Sequence, residues 1–243
     1  MRRIRGGRTT TVEAINLFVK TNEQLRTGIE RLMADGSLRA TRVTLDAGEF
    51  LFRDGDDINH TFYVEKGLVK LFSDTEDGYS KTVFLHKAGT LLGFQYFQDE
   101  SERRPSILNA TASVKSTIVR IDADDFVDCL KADGDLCFAM SQYLFSMMAL
   151  QTREAVNSSM FSVLQRFAAL LLTLAQEVGG TLEPVLIPFG NAELAEMLGV
   201  HVNSVTNAIS SLRKAGCVDK QRGYLAIIDM DKLATVAEDL VAN

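Results

Sequence analysis

NAELAEMLGVHVNSVTNAISSLRK, residues 191–214, is the stretch that decides the fold. It contains two helical patterns, Asn191 to Leu198 and Val202 to Lys214, which are separated by a break that begins at Gly199. The small side chain of Ala195 suits a close approach of the two helices. The second helix has an apolar face made of Val205, Ile209 and Leu212. Two short helices joined in this way predict a helix-turn-helix.

The other face of the second helix is polar, which an ordinary helical hairpin in a core would not explain. Its residues are Asn203, Ser204, Thr206, Asn207 and Ser210. Two β-rich runs follow, Cys217-Val218 and Tyr224 to Ile228, joined by the basic turn Lys220-Gln221-Arg222-Gly223. This arrangement is typical of a wing hairpin. Residues 162–243 are therefore predicted to form a winged helix-turn-helix that binds double-stranded DNA.

The residue types on the polar face predict how bases are read. An asparagine amide can hydrogen-bond adenine in the major groove, and a valine can contact a thymine methyl group. We expect base reading by Val202, Asn203, Thr206 and Asn207, with Ser204 on the same face. We expect phosphate contacts from Arg213, Lys214, Lys220 and Arg222. Residues 188–225 carry a net charge of only +1, so tight binding is predicted to need two half-sites and hence a dimer.

Upstream of this module, residues 36–132 have the pattern of a β-barrel that serves as a sensor domain. Short β-rich runs alternate with turn glycines, and Asp77-Gly78 is a strong hairpin signal. The runs are Val43 to Leu45, Phe50 to Phe52, Thr61 to Val64, Leu68 to Phe72, Thr82 to Leu85, Leu108 to Thr111 and Thr117 to Ile121. Many short strands of this kind predict a jelly roll. Residues 1–35 form an N-terminal helical segment, with a helix predicted over 12–34.

Between barrel and DNA module, residues 133–161 are predicted to form a long dimerisation helix after a short one over Ala123 to Ala132. A seam with steps of four and three residues consists of Leu136, Met140, Tyr143, Met147 and Leu150. This spacing favours packing along a second copy, as a homodimer. A second apolar face holds Phe138, Phe145, Met148 and Ala149. The alternative is a helix packed only on its own barrel. Glu154 and Asn157 are expected to loosen the seam.

Composition limits the classes of function. The 243 residues carry a formal charge of −6, which argues against a protein that coats nucleic acid through bulk charge. No apolar stretch is long enough to cross a bilayer, and no signal-peptide core follows the Arg-rich start, so a cytoplasmic protein without membrane partners is expected. The three cysteines form no metal or disulfide pattern and are expected to be buried thiols. No catalytic arrangement is recognisable, so an enzyme is not expected.

The chain after residue 35 resembles the Crp/Fnr superfamily of transcription regulators. The resemblance is carried by Gly48 to Asp56, by Phe62 to Leu71 and by the helix-turn-helix from Glu193 to Leu212. It implies an α+β chain with a cyclic-nucleotide-binding-like jelly-roll barrel, a dimerisation helix and a winged helix-turn-helix. It also implies promoter DNA, a second copy and RNA polymerase as partners. In many members arginine and glutamate open the recognition helix, and Val202 and Asn203 at the matching positions argue against the familiar operator.

The effector segment departs from the cyclic-nucleotide pattern of the family. Arg104 resembles the phosphate-binding arginine, but Phe94 stands where the family has its ribose-binding glutamate and Pro105 replaces a small hydroxyl residue. Cyclic AMP is therefore not expected, and an aromatic effector with an anionic end is favoured. The predicted contacts are Phe94, Gln95, Tyr96, Arg103, Arg104, Tyr143, Met147 and Gln151. The alternative is that these aromatic side chains only fill the barrel.

Other sensor types stay open as alternatives. An iron-sulfur sensor that resembles the oxygen-responsive branch of the family would need an N-terminal cysteine cluster, and this branch is excluded because the first cysteine is Cys129. No cofactor is predicted. His86 or His60 could ligate haem. More often, however, a lone histidine in a strand region is a surface or core residue whose hydrogen bonds are satisfied. Cys129 or Cys137 could sense thiol oxidation. A regulatory protein of the cyclic-nucleotide type that does not bind DNA is the remaining alternative.

Overall fold

The structure is a computed structural model, and it describes residues 17–76, 78–94, 105–178, 184–221 and 223–238. The chain divides into two compact units, with the boundary between Gln151 and Thr152. Among the described residues, no helix is long and apolar enough to cross a membrane. The predicted division at residues 132/133 and 161/162 is different, because the long helix belongs partly to each compact unit.

The first unit is built around two four-stranded antiparallel sheets. The strands are β1 (Ala40–Leu45), β2 (Phe50–Phe52), β3 (His60–Lys66), β4 (Leu68–Asp74), β5 (Ser80–Lys87), β6 (Leu91–Leu92), β7 (Asn109–Ala112) and β8 (Ser116–Asp122). One sheet has the order β1-β8-β3-β6 and the other β2-β7-β4-β5. This arrangement confirms the predicted jelly roll. The β3–β4 turn needs glycine, because Gly67 has φ +95° and a Cβ there would lie 2.2 Å from Ser116 Oγ.

The N-terminal helix is shorter than predicted. Helix α1 (Glu23–Ala34) begins after Asn22, whose side chain accepts a hydrogen bond from the Leu25 amide. The preceding residues are not helical, because they pair with the barrel. Leu85 donates to the Leu17 carbonyl at 2.8 Å, and Val19 donates to the Leu85 carbonyl at 2.9 Å. Residues 12–16 of the predicted helix lie outside the described part of the chain.

Two helices leave the barrel, α2 (Ala123–Ala132) and α3 (Gly134–Met160), as predicted. The predicted dimer seam of α3 was wrong, because it faces the barrel of its own chain. Leu136, Met140, Tyr143 and Leu150 are buried, and Met147 is half-buried. Except for Leu150, they pack in one cluster with barrel and helix residues that include Leu91, Val119 and Phe126. A seam spacing predicts that a face is buried but not what buries it.

The opposite face of α3 is the exposed one. Phe138, Phe145 and Met148 have 62%, 66% and 58% of their surface accessible. These residues belong to the second apolar face, whereas the seam predicted for a second copy packs on the barrel. The roles of the two faces are therefore exchanged within this protomer.

The second unit packs around the apolar helix α4 (Val163–Val178), in which Phe167, Leu171 and Leu174 are completely buried. Around it lie β9 (Val185–Ile187), α5 (Asn191–Leu198), α6 (Val202–Lys214), β10 (Val218–Gln221), β11 (Tyr224–Ile227) and α7 (Met230–Glu238). The three strands form one antiparallel sheet in the order β10-β11-β9. This confirms the helix-turn-helix and wing, while β9 and α7 were not predicted.

Candidate DNA-binding and effector sites

The turn between α5 and α6 is fixed by a short set of backbone contacts. Gly199 ends α5 in the left-handed conformation, with φ 64° and ψ 49°, which glycine adopts without a Cβ clash. Val200 then donates to the Ala195 carbonyl at 3.1 Å. Ala195 and Val205 are both buried where the two helices meet. The predicted roles of these three positions are confirmed, and together they hold α6 on α5.

Helix α6 buries its apolar face and leaves its predicted reading face outward. Val205, Ala208, Ile209 and Leu212 are buried. Val202, Asn203, Thr206 and Asn207 are exposed, and Ser204 is half-buried. The Thr206 hydroxyl donates to the Val202 carbonyl at 3.0 Å, so its oxygen is left to accept from a ligand. Two amides and a valine are therefore presented to solvent at the start of the helix.

The basic residues near the wing are not equivalent. Arg213 forms an ion pair with Asp219, with Nη2 and Oδ1 separated by 3.0 Å. Lys214 and Lys220 are exposed, and they line the same groove between α6 and the wing. Arg222 lies outside the described residues. The predicted phosphate contact of Arg213 thus competes with an acidic neighbour, a pairing that sequence spacing alone did not suggest.

Comparison with known proteins identifies the family to which the chain belongs. A model of the cyclic nucleotide-binding domain matches residues 42–133, and one of the Crp-like helix-turn-helix domain matches residues 165–236. The chain belongs to the Crp/Fnr superfamily. Members of this superfamily are DNA-binding transcription regulators and not enzymes, so this Crp/Fnr regulator carries a barrel of the cyclic-nucleotide-binding type and a DNA-binding module.

Relatives of this Crp/Fnr regulator are distant but extend over most of its length. The fumarate and nitrate reduction regulatory protein of Salmonella typhi is 23% identical over 203 residues, covering 79% of this chain and 77% of that protein. Electron transport regulator A of Shewanella oneidensis is 20% identical with the same coverage.

Solved structures share the fold of the Crp/Fnr regulator. The c-di-GMP responsive global regulator CLP of Xanthomonas campestris has a TM-score of 0.72 at 19% identity, over 83% of this chain and 98% of that one. A Crp/Fnr-family transcriptional regulator of Thermus thermophilus has a TM-score of 0.70 at 23% identity, over 82% of this chain and 100% of that one. At these identities the likeness concerns the fold.

The predicted effector residues lie partly at the contact between barrel and long helix. The ring of Phe94 meets the ring of Tyr143 edge-on, with 6.2 Å between centroids. The Tyr143 hydroxyl donates to the Leu91 carbonyl at 2.7 Å and accepts from the Leu91 amide at 2.9 Å. Gln151 donates to the Val83 carbonyl at 2.9 Å. Three of the eight predicted contacts therefore hold α3 on the barrel, with Met147 half-buried beside them. Gln95, Tyr96, Arg103 and Arg104 lie outside the described residues.

His86 is the polar group inside the barrel that the sequence did not explain. It lies on β5 opposite Val69, completely buried, and its ring meets Phe84 edge-on with 5.9 Å between centroids. Neither ring nitrogen has a hydrogen-bond partner among the described residues, in contrast to the satisfied histidine that was expected. Burial lowers the pKa of His86 to about 3, because a charged imidazole would lose its hydration. The ring is therefore neutral at pH 7.

The cysteines differ in exposure. Cys217 is buried and Cys129 is half-buried, but Cys137 is exposed on α3, which corrects the expectation of three buried thiols. Burial raises the pKa of Cys129, and Asp125 adds to the effect, so its reactive thiolate is disfavoured. Among the described residues, no group of histidines, cysteines and carboxylates is arranged to hold a metal ion.

Proposed function

We propose that this regulator binds promoter DNA as a homodimer in the cytoplasm and reads each half-site through Val202, Asn203, Thr206 and Asn207. The observation that carries the proposal is the outward polar face of α6, which lies opposite a buried apolar face and follows a hydrogen-bonded turn. Asparagine amides at the start of a recognition helix match the donor and acceptor pair of adenine. Lys214 and Lys220 supply phosphate contacts beside this face.

The reading face can be tested with the Asn203→Ala/Asn207→Ala variant. An operator is first selected from random duplexes with the wild-type protein, and affinity is then measured by fluorescence anisotropy at several salt concentrations. Each lost bidentate contact weakens specific binding by about 1–3 kcal/mol, so we expect a loss of at least about 30-fold. Asn59→Ala, an exposed asparagine on the barrel, is the matched control and should bind as the wild type does. Unchanged affinity of the double variant would refute the assignment.

The Arg213–Asp219 ion pair leads to a second prediction. Replacing Asp219 with asparagine removes the carboxylate that competes with DNA for the Arg213 guanidinium. We expect tighter binding and a plot of log affinity against log salt that is steeper by about two for the dimer, because each protomer neutralises one more phosphate. Salt titrations of operator binding measure both. An unchanged slope would mean that Arg213 does not contact phosphate.

The dimer is proposed to form through the exposed face of α3. Phe138, Ser141, Phe145 and Met148 follow steps of three, four and three residues, and all four are exposed. Such steps give an apolar stripe that packs along a parallel partner helix. A second copy of the chain would cover these rings, which a soluble monomer would otherwise leave in water.

The barrel is proposed to sense a small molecule other than cyclic AMP, with an aromatic body and an anionic end. Support comes from Phe94 at the position of the family's ribose-binding glutamate, and from its ring contact with Tyr143 on α3. Binding of such a molecule needs no cofactor. Haem bound through His86 is the second candidate, favoured by ring nitrogens that have no hydrogen-bond partner among the described residues. Mass spectrometry of the native protein and its absorbance spectrum separate an aromatic acid from haem. Contact with RNA polymerase also remains a prediction.

A further inference from the structure

A polar cluster is buried in the second unit beside the turn of the helix-turn-helix. Glu154, on the last part of α3, and Arg166, near the start of α4, form an ion pair with 3.6 Å between Oε1 and Nη2. Each side chain is only 8% exposed. Nη2 of Arg166 also donates to the backbone carbonyl of Leu198, the last residue of α5. One guanidinium therefore connects the long helix to the helix-turn-helix. Glu154 and Asn157, which were expected to loosen the dimer seam, are both buried within the protomer.

The position of α6 depends on the Leu198 carbonyl at the end of α5. Carbonyls at the end of a helix lack intrahelical donors, and the helix dipole favours a cation beside them. Gly199 follows in the left-handed conformation, and α6 begins at Val202. Because this turn is short and fixed, the position of the Leu198 carbonyl determines where the recognition helix starts.

The cluster contributes little to the stability of the fold. Asn157 Nδ2, Gln165 Nε2 and Arg166 Nε have no hydrogen-bond partner among the described residues. The Gln165 Oε1 atom is used to cap α4, where it accepts from the Ser162 amide at 2.8 Å. Buried donors without acceptors reduce stability, and a buried ion pair is often no more stable than apolar side chains of similar volume. Stability alone therefore does not explain these residues.

We propose that Glu154 and Arg166 are positioning residues that fix the recognition helix on the end of the long helix, and so set which half-site spacing the dimer accepts. They act through the Leu198 carbonyl and do not touch DNA. The inference rests on the proposed homodimer, because a spacing preference needs two linked recognition helices.

The test compares the Glu154→Leu/Arg166→Met variant of the full-length chain with the wild type. Affinity is measured for the selected operator and for the same duplex with one base pair inserted between its half-sites. One inserted base pair rotates the second half-site by about a tenth of a turn, so the wild type should bind the longer duplex at least about tenfold more weakly. The variant should show a penalty of less than about threefold, because its recognition helices are no longer held.

Stability measurements separate positioning from folding. Removing both charges leaves no unpaired ion, and this gain offsets the lost hydrogen bond to the Leu198 carbonyl, so the double variant should melt near the wild-type temperature. Lys232→Met, which removes an exposed ion pair with Asp229 in the same unit, is the control and should keep the tenfold penalty. If the double variant melts far below the wild type, the spacing penalty of Glu154→Gln is measured in its place; this penalty should fall below about threefold, although the unpaired guanidinium lowers the melting temperature.

The two proposals fail in different ways. A folded variant that keeps the tenfold penalty overturns the positioning role and leaves the proposed function intact. A wild type that selects no operator, or that binds as a monomer, overturns the proposed function and the positioning role with it.

Discussion

Replacing Phe145 with glutamate should convert the protein into a folded monomer and reduce its affinity for a two-half-site operator by about 100-fold or more. The side chain is 66% exposed in the protomer, so the substitution costs little within one chain. In the proposed dimer, two carboxylates would face each other across an apolar seam, and their burial is strongly unfavourable. Linking two binding modules raises affinity by about 10²–10⁴-fold, and this gain is lost when the copies separate.

Analytical ultracentrifugation gives the mass, and fluorescence anisotropy gives the DNA affinity. Ile107→Glu is the matched control, because Ile107 is 77% exposed on the barrel and away from the stripe. It should remain dimeric and bind operator normally. Met140→Ala makes a sharper comparison, because Met140 is buried against its own barrel. It should lower thermal stability without dissociating the dimer. A dimeric Phe145→Glu protein would show that another surface joins the copies.

The long helix illustrates what a single sequence can specify about this fold. Its length and its two apolar faces were predictable, because a period of 3.5 to 3.6 residues is visible in the residue types alone. Which face packs on the barrel was not predictable. It depends on the two hydrogen bonds between the Tyr143 hydroxyl and the Leu91 backbone, which is 52 positions away in the sequence. Phe138 and Phe145 have the same hydrophobic character as the buried residues, and only the tertiary contact distinguishes them.

The DNA site was more predictable than the effector site for a physical reason. The helix-turn-helix is local, so Ala195, Gly199 and Val205 lie within eleven residues and their sizes constrain one another. The interior of the barrel is assembled from strands that are distant in sequence. His86 and Val69 are neighbours only after β4 and β5 pair. Neither the complete burial of His86 nor the Glu154–Arg166 ion pair could be predicted from local spacing.

His86 also provides a pH-dependent test of the barrel. Its pKa is about 3 when folded and near 6.5 when unfolded, so between these values the unfolded chain holds a proton that the native chain lacks. With respect to this group, the fold is most stable above pH 6.5 and loses stability as the pH falls towards 3. From pH 7.5 to pH 5 this group alone should lower the free energy of unfolding by about 2 kcal/mol.

The His86→Leu variant should lose this part of the pH dependence and gain stability at neutral pH. Leucine fills a similar volume and leaves no buried nitrogen without a partner, so we expect a gain of about 1 kcal/mol at pH 7.5. Urea unfolding followed by circular dichroism at pH 7.5, 6 and 5 measures both effects, and His60→Gln, on a half-buried histidine, is the control. A loss of stability at pH 7.5 would mean that the imidazole has a partner in solution. A gain would mean that burial of the imidazole without hydrogen-bond partners costs the folded barrel stability.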